Sequence, residues 1–203
     1  MQEQEGMVLS VVSHSHAQTQ QLGQHLGELL QGGELLLLEG QLGMGKTTFT
    51  QGLARGLSIT DTINSPTFTL LKEYVGSSRP VSSASSVPSH HEPASQTGRM
   101  RRRERRSERV HRRPSLYHFD LYRLEDPEEM FALGFDDYFT DASGVCVVEW
   151  ADRAEGLWPR ERLDILLHLM GETERGLTFM ASGTRYQKLL QQFQKSAYAI
   201  TGS

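Results

Sequence analysis

The sequence has little of what disulfide-rich, metal-cluster and membrane proteins need. It contains one cysteine, Cys146, among 203 residues, so an intrachain disulfide and a cysteine-rich metal site are both excluded. Cys146 lies in the apolar run 145–148, which is typical of a buried thiol. No apolar run approaches the roughly 20 residues that a membrane-spanning helix needs, and residues 1–6 lack the pattern of a signal peptide. We therefore expect a cytoplasmic protein.

Apolar residues and basic charge are unevenly distributed along the chain. Only 37% of the residues are hydrophobic, which is low for a compact domain, and the scarcity of apolar residues is greatest in residues 77–115. This segment carries ten arginines and three glutamates, a net charge of +7, whereas the whole chain has a formal net charge of -4. Because the segment has almost nothing apolar to bury, we predict a disordered basic insertion. The length then fits one α/β domain over residues 1–203, interrupted by this insertion.

The hydrophobic pattern predicts alternating strands and helices. We expect strands at 8–12, 34–39, 68–75, 116–122 and 145–149, a hairpin of 163–170 with 176–181, and helices at 16–30, 46–57, 183–195 and from 126 to a stop at Gly134. Either Ser13 or Ser15 is expected to cap the first helix. The four consecutive leucines before Glu39 favour a strand buried on both faces of a parallel sheet. The prediction is a mostly parallel central sheet flanked by helices, with an antiparallel hairpin region.

Residues 40–47 match the phosphate-binding pattern G-x-x-x-x-G-K-[ST]. Such a loop wraps a polyphosphate with its backbone N–H groups, a conformation that Gly43 and Gly45 permit. The pattern predicts that Lys46 reaches the β- and γ-phosphates of ATP and that the Thr47 hydroxyl is a ligand of Mg²⁺. The nucleotide is expected to contact Gly43, Met44, Gly45, Lys46, Thr47 and Thr48.

A phosphate-binding loop also needs an acid at the end of a neighbouring strand, where it holds the Mg²⁺ shell. Two strands end in an acid, one at Glu149 and a less apolar one at Asp120. The pattern alone does not choose between them, and either acid can instead be a solvated strand end.

Three other features have both a functional and a structural interpretation. The turn around Ser65 and Thr67 lies where related proteins place a loop that senses the γ-phosphate, but such a turn can be only a connection. His118 is flanked by aromatic residues and is typical of a histidine that is hydrogen-bonded in the core or at an interface. Trp150 either lies beside the nucleotide or packs in the core.

Together these segments resemble one family, the bacterial tRNA threonylcarbamoyladenosine biosynthesis proteins TsaE. The resemblance rests on residues 39–48, 65–70 and 117–124 and on the Glu149-Trp150 pair, in this order. It implies a P-loop ATPase needed to make N6-threonylcarbamoyladenosine at position 37 of tRNAs that read codons beginning with A. It also implies two partners, the transferase TsaD and its scaffold TsaB, which ATP hydrolysis would reset between turnovers, and contact with tRNA through that complex.

The resemblance also implies roles for single residues in the phosphate half of the site. Thr47 and Glu149 would be the Mg²⁺ ligands, beside Lys46. Asp120 would act near the γ-phosphate and the attacking water, and Thr67 would belong to a switch loop.

At the other half of the nucleotide, the resemblance places Trp150 near the adenine. Arg175 matches an arginine that contacts the nucleotide, and Ser15 would lie at the adenine edge.

The chain departs from the family pattern in the insertion 77–115, because family members join the flanking strands by a short loop. The insertion either contacts tRNA phosphates through its arginines or is merely solvated. Two other functions fit the phosphate-binding loop, a small-molecule kinase and a nucleotide-dependent binding module without useful hydrolysis.

Overall fold

Strands and helices alternate along the computed structural model, which describes residues 6–66, 69–76, 113–132 and 134–202. In chain order the elements are β1 (Met7–Ser13), α1 (His16–Leu29), β2 (Leu35–Glu39), α2 (Lys46–Gly56), β3 (Leu71–Tyr74), β4 (Ser115–Asp120), α3 (Glu129–Ala132), α4 (Phe135–Thr140), β5 (Gly144–Glu149), a 3-10 turn (Ala151–Ala154), β6 (Arg162–Leu169), β7 (Arg175–Ser182) and α5 (Thr184–Thr201). No helix in these ranges is both long and apolar enough to cross a membrane.

The described strands form one seven-stranded sheet in the order β1-β7-β6-β2-β5-β4-β3. Its centre is parallel, because β2 pairs in parallel with β5 and β6, and β4 pairs in parallel with β5. Both edges are antiparallel, through β1 with β7, β6 with β7, and β3 with β4. The leucines of β2 are buried at the centre of the sheet. The predicted mixed α/β fold, with a mostly parallel core and an antiparallel hairpin, is confirmed.

Helix α2, which follows the phosphate-binding pattern, is held by close packing against α1. A Cβ on Gly23 of α1 would lie 2.2 Å from the carbonyl oxygen of Phe49, and one on Gly52 of α2 would lie 2.0 Å from that of Gln20. Glycine is therefore needed on both helices for their backbones to approach this closely. The contact sets the position of α2 relative to the sheet.

The predicted helix ends before Gly134, and this glycine also begins a second helix that was not predicted. Gly134 has φ +72° and is the N-cap of α4, while α3 ends at Ala132. The left-handed backbone turns the chain directly into a second short helix, whose first turn carries Asp136 and Asp137. Acidic residues there are favoured by the helix dipole.

Two other element boundaries differ from the prediction. Strand β3 is shorter than predicted, since Thr69 and Leu70 lie in a turn and residues 67–68 are outside the described ranges. Helix α5 extends six residues beyond its predicted end, because Ala197 and Thr201 continue its buried face past residue 195 and Gly202 ends it with φ +74°.

The structure bears on where the predicted insertion ends. Ser115 is the first residue of β4 and not part of the insertion, and Tyr74 pairs with Leu116 in an antiparallel ladder. A Cβ on Gly76 would lie 2.3 Å from the carbonyl oxygen of Arg113. The two chain segments that enter and leave residues 77–112 are therefore adjacent. Residues 77–112 themselves lie outside the described ranges.

Deleting residues 77–112 and joining Gly76 to Arg113 by a short glycine-containing turn is expected to preserve the fold. The flanking strands β3 and β4 already pair in the antiparallel way that a hairpin needs. The shorter loop lowers the entropic free-energy cost of closing the loop by about 2 kcal/mol at most. Thermal unfolding should show one transition, at the wild-type midpoint or slightly above it. A variant without a cooperative transition would show that the segment is required for folding.

Candidate active site

The chain turns sharply between β2 and α2, over residues 40–45. Gly40 has φ +137°, and a Cβ at this position would lie 2.3 Å from the carbonyl oxygen of Leu167. Gly45 has φ +100° and is the N-cap of α2. Both positions need glycine for conformational reasons, and Gly40 also for space. The loop therefore ends at a helix N-terminus, where the dipole favours an anion.

Lys46, the first residue of α2, lies across the base of this loop. Its side chain is buried, and Nζ donates hydrogen bonds to the carbonyl oxygens of Gly40 at 2.5 Å and Gln41 at 3.0 Å. Burial lowers the pKa of Lys46, while the carboxylates of Glu149 and Asp120 act in the opposite direction. The loop thus already holds a cation at its centre.

The two acidic candidates meet at the same edge of the sheet. Asp120 and Glu149 end the adjacent parallel strands β4 and β5 and are partners in the register, and both are 2% exposed. The Thr47 hydroxyl donates a hydrogen bond to Oε2 of Glu149 at 3.0 Å. Of the two acids that the sequence left open, Glu149 is hydrogen-bonded to the predicted metal-binding threonine.

Asp120 is bonded to a different part of the chain. Its Oδ1 accepts a hydrogen bond from the backbone N–H of Tyr122 at 3.0 Å, and its Oδ2 accepts one from the Ser65 hydroxyl. Ser65 belongs to the turn that was predicted to sense the γ-phosphate. That turn is therefore in direct contact with the second acid, although Thr67, its predicted switch residue, lies outside the described residues.

His118 is buried, as the core interpretation of the sequence predicted, but its polar contact is with the site. Its Nε2 atom is 2.8 Å from Oε1 of Glu149. Sequence reasoning missed this contact. The available signal was that His118 precedes Asp120 by two residues, which puts both side chains on one face of β4.

Trp150 lies beside Lys46. Its backbone is left-handed, with φ +62°, and Lys46 Nζ is 3.6 Å from the centroid of its ring. The ring also packs against that of Tyr122, with the centroids 4.9 Å apart. The half-buried indole thus covers Lys46, as in a cation–π contact.

A separate pocket of about 200 Å³ lies on the other side of the loop. It is lined by His16, Thr19, Gly43, Gly45, Thr48, Glu172, Thr173 and Arg175. Arg175, which is predicted to contact the nucleotide, is among these lining residues, and Trp150 is not.

The predicted contacts Ser15 and Met44 are placed differently from this pocket lining. The Ser15 hydroxyl accepts a hydrogen bond from the backbone N–H of Gln18 at 3.1 Å and so caps α1. His16 and Thr19, which follow Ser15 on the helix, line the pocket in its place. Met44 is partly buried against the core cluster of the sheet. The start of α1 thus contributes to the pocket wall through His16 and Thr19, and the contact of Ser15 with the nucleotide stays a prediction.

The side chains at the loop fit a phosphate-bound Mg²⁺. Mg²⁺ prefers oxygen ligands and usually takes one or two from the protein and the rest from phosphates and water. The Thr47 hydroxyl and the Glu149 carboxylate are such a pair, and the 3.0 Å bond between them brings them to one point.

Comparison with known proteins identifies the family. A family model described as threonylcarbamoyl adenosine biosynthesis protein TsaE matches residues 13–84 and 105–177. The chain belongs to the TsaE family. The match leaves out residues 85–104, which lie inside the predicted insertion.

Similar TsaE proteins cover most of the chain. The tRNA threonylcarbamoyladenosine biosynthesis protein TsaE of Bacillus subtilis is 40% identical over 163 residues, which are 80% of this chain and 79% of that protein. The TsaE protein of Treponema pallidum is 33% identical over 82% of this chain and 96% of its own length. Among solved structures, Bacillus subtilis YdiB superposes with a TM-score of 0.68 at 31% identity, covering 96% of this chain and 99% of YdiB.

Proposed function

We propose that this protein is a Mg²⁺-dependent ATP hydrolase that acts in the biosynthesis of N6-threonylcarbamoyladenosine at position 37 of tRNA. The observation that carries the proposal is the convergence of Lys46, Thr47 and Glu149 at a glycine turn before a helix. Membership of the TsaE family supports the pathway.

In the phosphate half of the site, the N–H groups of the loop and Lys46 bind the β- and γ-phosphates. Lys46 then exchanges the carbonyl oxygens of Gly40 and Gln41 for phosphate oxygens. Thr47 and Glu149 would hold Mg²⁺, which would neutralise the negative charge that develops during phosphoryl transfer. Trp150 covers this end and limits the access of water to Lys46.

Asp120 orients the attacking water. Its two oxygens are fixed by the backbone of Tyr122 and by Ser65, so its carboxylate has a set direction at the edge of the sheet. Positioning of this kind, and not covalent chemistry, is what phosphoryl transfer requires of a protein. Ser65 therefore links the turn that is predicted to sense the γ-phosphate to Asp120.

The adenosine half of ATP occupies the pocket lined by Thr19, Thr48 and Arg175 on the other side of the loop. We propose TsaD and TsaB as the protein partners, with tRNA contacted through their complex. Hydrolysis would return that complex to its starting state after each modification.

The test measures phosphate release from ATP by the purified chain, alone and with TsaD and TsaB. We expect slow release by the chain alone, a dependence on Mg²⁺, and a higher rate with the partners present. In a reconstituted reaction, a non-hydrolysable ATP analogue should stop tRNA modification after about one turnover of the complex. Transfer of the γ-phosphate to a small acceptor would indicate a kinase, and tight ATP binding without release in any mixture would indicate a binding module.

A further inference from the structure

The two oxygens of the Glu149 carboxylate have different partners. Oε2 accepts the hydrogen bond of the Thr47 hydroxyl at 3.0 Å. Oε1 lies 2.8 Å from His118 Nε2 and accepts a long bond of 3.5 Å from the Thr50 hydroxyl. One oxygen therefore faces the predicted metal-binding threonine, and the other faces the protein interior.

The register of the sheet puts His118 behind Glu149. Strands β4 and β5 run in parallel, with Asp120 opposite Glu149 and His118 opposite Val147. His118 is therefore two residue pairs deeper in the sheet than Glu149, on the side away from the loop. It is fully buried, so its ring is held by the packing around it.

The surroundings of the ring determine which nitrogen donates. Nδ1 of His118 is buried and has no hydrogen-bond partner among the described residues. A neutral imidazole carries one proton, and a buried N–H without an acceptor is costly. The favoured tautomer therefore has the proton on Nε2, where it is donated to Oε1 of Glu149.

We propose that His118 is a positioning residue that holds Oε1 of Glu149 and so directs Oε2, beside Thr47, toward Mg²⁺. This inference rests on the proposed function, because it concerns the same metal. Without His118, Oε1 keeps, among the described residues, only the 3.5 Å contact with the Thr50 hydroxyl, which lies closer to the carbonyl oxygen of Lys46, at 3.1 Å. The carboxylate can then rotate about its last bond, and the oxygen presented to the metal is no longer fixed. Partners of this kind that orient a metal ligand typically contribute 10- to 100-fold in metal affinity.

The test replaces His118 and measures nucleotide binding instead of turnover. In His118→Gln the side-chain amide nitrogen falls near the position of Nε2 and keeps the donor. In His118→Asn the shorter side chain keeps a polar group but does not reach Oε1, and in His118→Leu the donor is removed. Binding of the β,γ-imido analogue of ATP is measured by calorimetry at increasing MgCl₂ and in EDTA.

We expect the Mg²⁺ concentration for half-maximal tightening to rise about 10-fold or more in His118→Leu and His118→Asn. His118→Gln should stay close to wild type, and affinity in EDTA should be unchanged in all variants. If His118→Leu does not fold, the comparison of Gln with Asn decides. Equal Mg²⁺ midpoints for Gln and Asn, or a loss of affinity in EDTA that matches the loss in Mg²⁺, would overturn the proposal.

The wild-type titration separates this inference from the proposed function. If Mg²⁺ does not tighten binding to the wild-type protein, the proposed function fails. If Mg²⁺ tightens binding equally in the wild type, His118→Leu and His118→Asn, the proposed function stands and the role of His118 fails.

Discussion

Replacing Lys46 with alanine should reduce ATP hydrolysis by about 100-fold or more, the loss typical when one preorganised donor to developing charge is removed. Nζ of Lys46 is held at the centre of the loop by the carbonyl oxygens of Gly40 and Gln41. A phosphate oxygen entering the loop would replace these acceptors. Because negative charge develops on the β–γ bridge during transfer, loss of the cation should affect turnover more than nucleotide binding. Phosphate release at saturating ATP and Mg²⁺ measures the effect.

The matched control for this variant is Lys188→Ala, which removes an exposed lysine from α5. We expect Lys188→Ala to hydrolyse ATP at the wild-type rate. That result would show that a general loss of positive charge does not cause the defect of Lys46→Ala. Thermal unfolding of both variants shows whether the buried substitution also affects folding. Hydrolysis by Lys46→Ala at the wild-type rate would place the phosphate site elsewhere.

The centre of the sheet could be predicted because its signals are local and strong. A run of leucines before Glu39 indicates a strand buried on both faces, and the glycine pattern after it requires a turn and a helix start. Since β2, the loop and the start of α2 follow one another in the sequence, no contact between distant segments was needed to place Lys46 and Thr47 at the loop.

The parts that the sequence did not predict depend on contacts between distant segments. Whether Thr47 is bonded to Glu149 or to Asp120 is decided by the register of β4 against β5 and by the packing of α2 on α1, and no pattern within one segment encodes either. His118 is a similar case, because aromatic neighbours predict a buried ring but not the carboxylate that it meets.

Local ambiguity explains the other differences. Gly134 fits a helix end and a helix start equally well, since a left-handed glycine serves at both places. Ser15 stays a predicted contact of the adenine edge, and its hydroxyl also accepts a hydrogen bond from the backbone of α1. A polar side chain at a helix start can bond either a ligand or the free backbone N–H groups of the first helical turn, and these N–H groups are nearer.

Exchanging the two carboxylates for amides, one at a time, is expected to give two different defects. Glu149→Gln keeps an oxygen for Thr47 but loses the charge that holds Mg²⁺, so it should raise the Mg²⁺ concentration needed for hydrolysis and be partly rescued by excess metal. Asp120→Asn should lower turnover by about 100- to 10,000-fold, as for loss of a group that acts on the proton of the attacking water, with Mg²⁺ dependence near wild type.

The variants Glu149→Gln and Asp120→Asn are matched in chemistry and in position, so a difference between them can be assigned to the role of each acid. Both acids are 2% exposed and end neighbouring strands, and both substitutions keep the volume of the side chain. A purely structural role would lower the unfolding midpoints and the rates together, without separating metal dependence from turnover. If the two variants give the same Mg²⁺ titration of phosphate release, the division of roles between Glu149 and Asp120 is wrong. A separation of the titrations, with binding of the β,γ-imido analogue retained in Asp120→Asn, would assign Glu149 to the metal and Asp120 to the water.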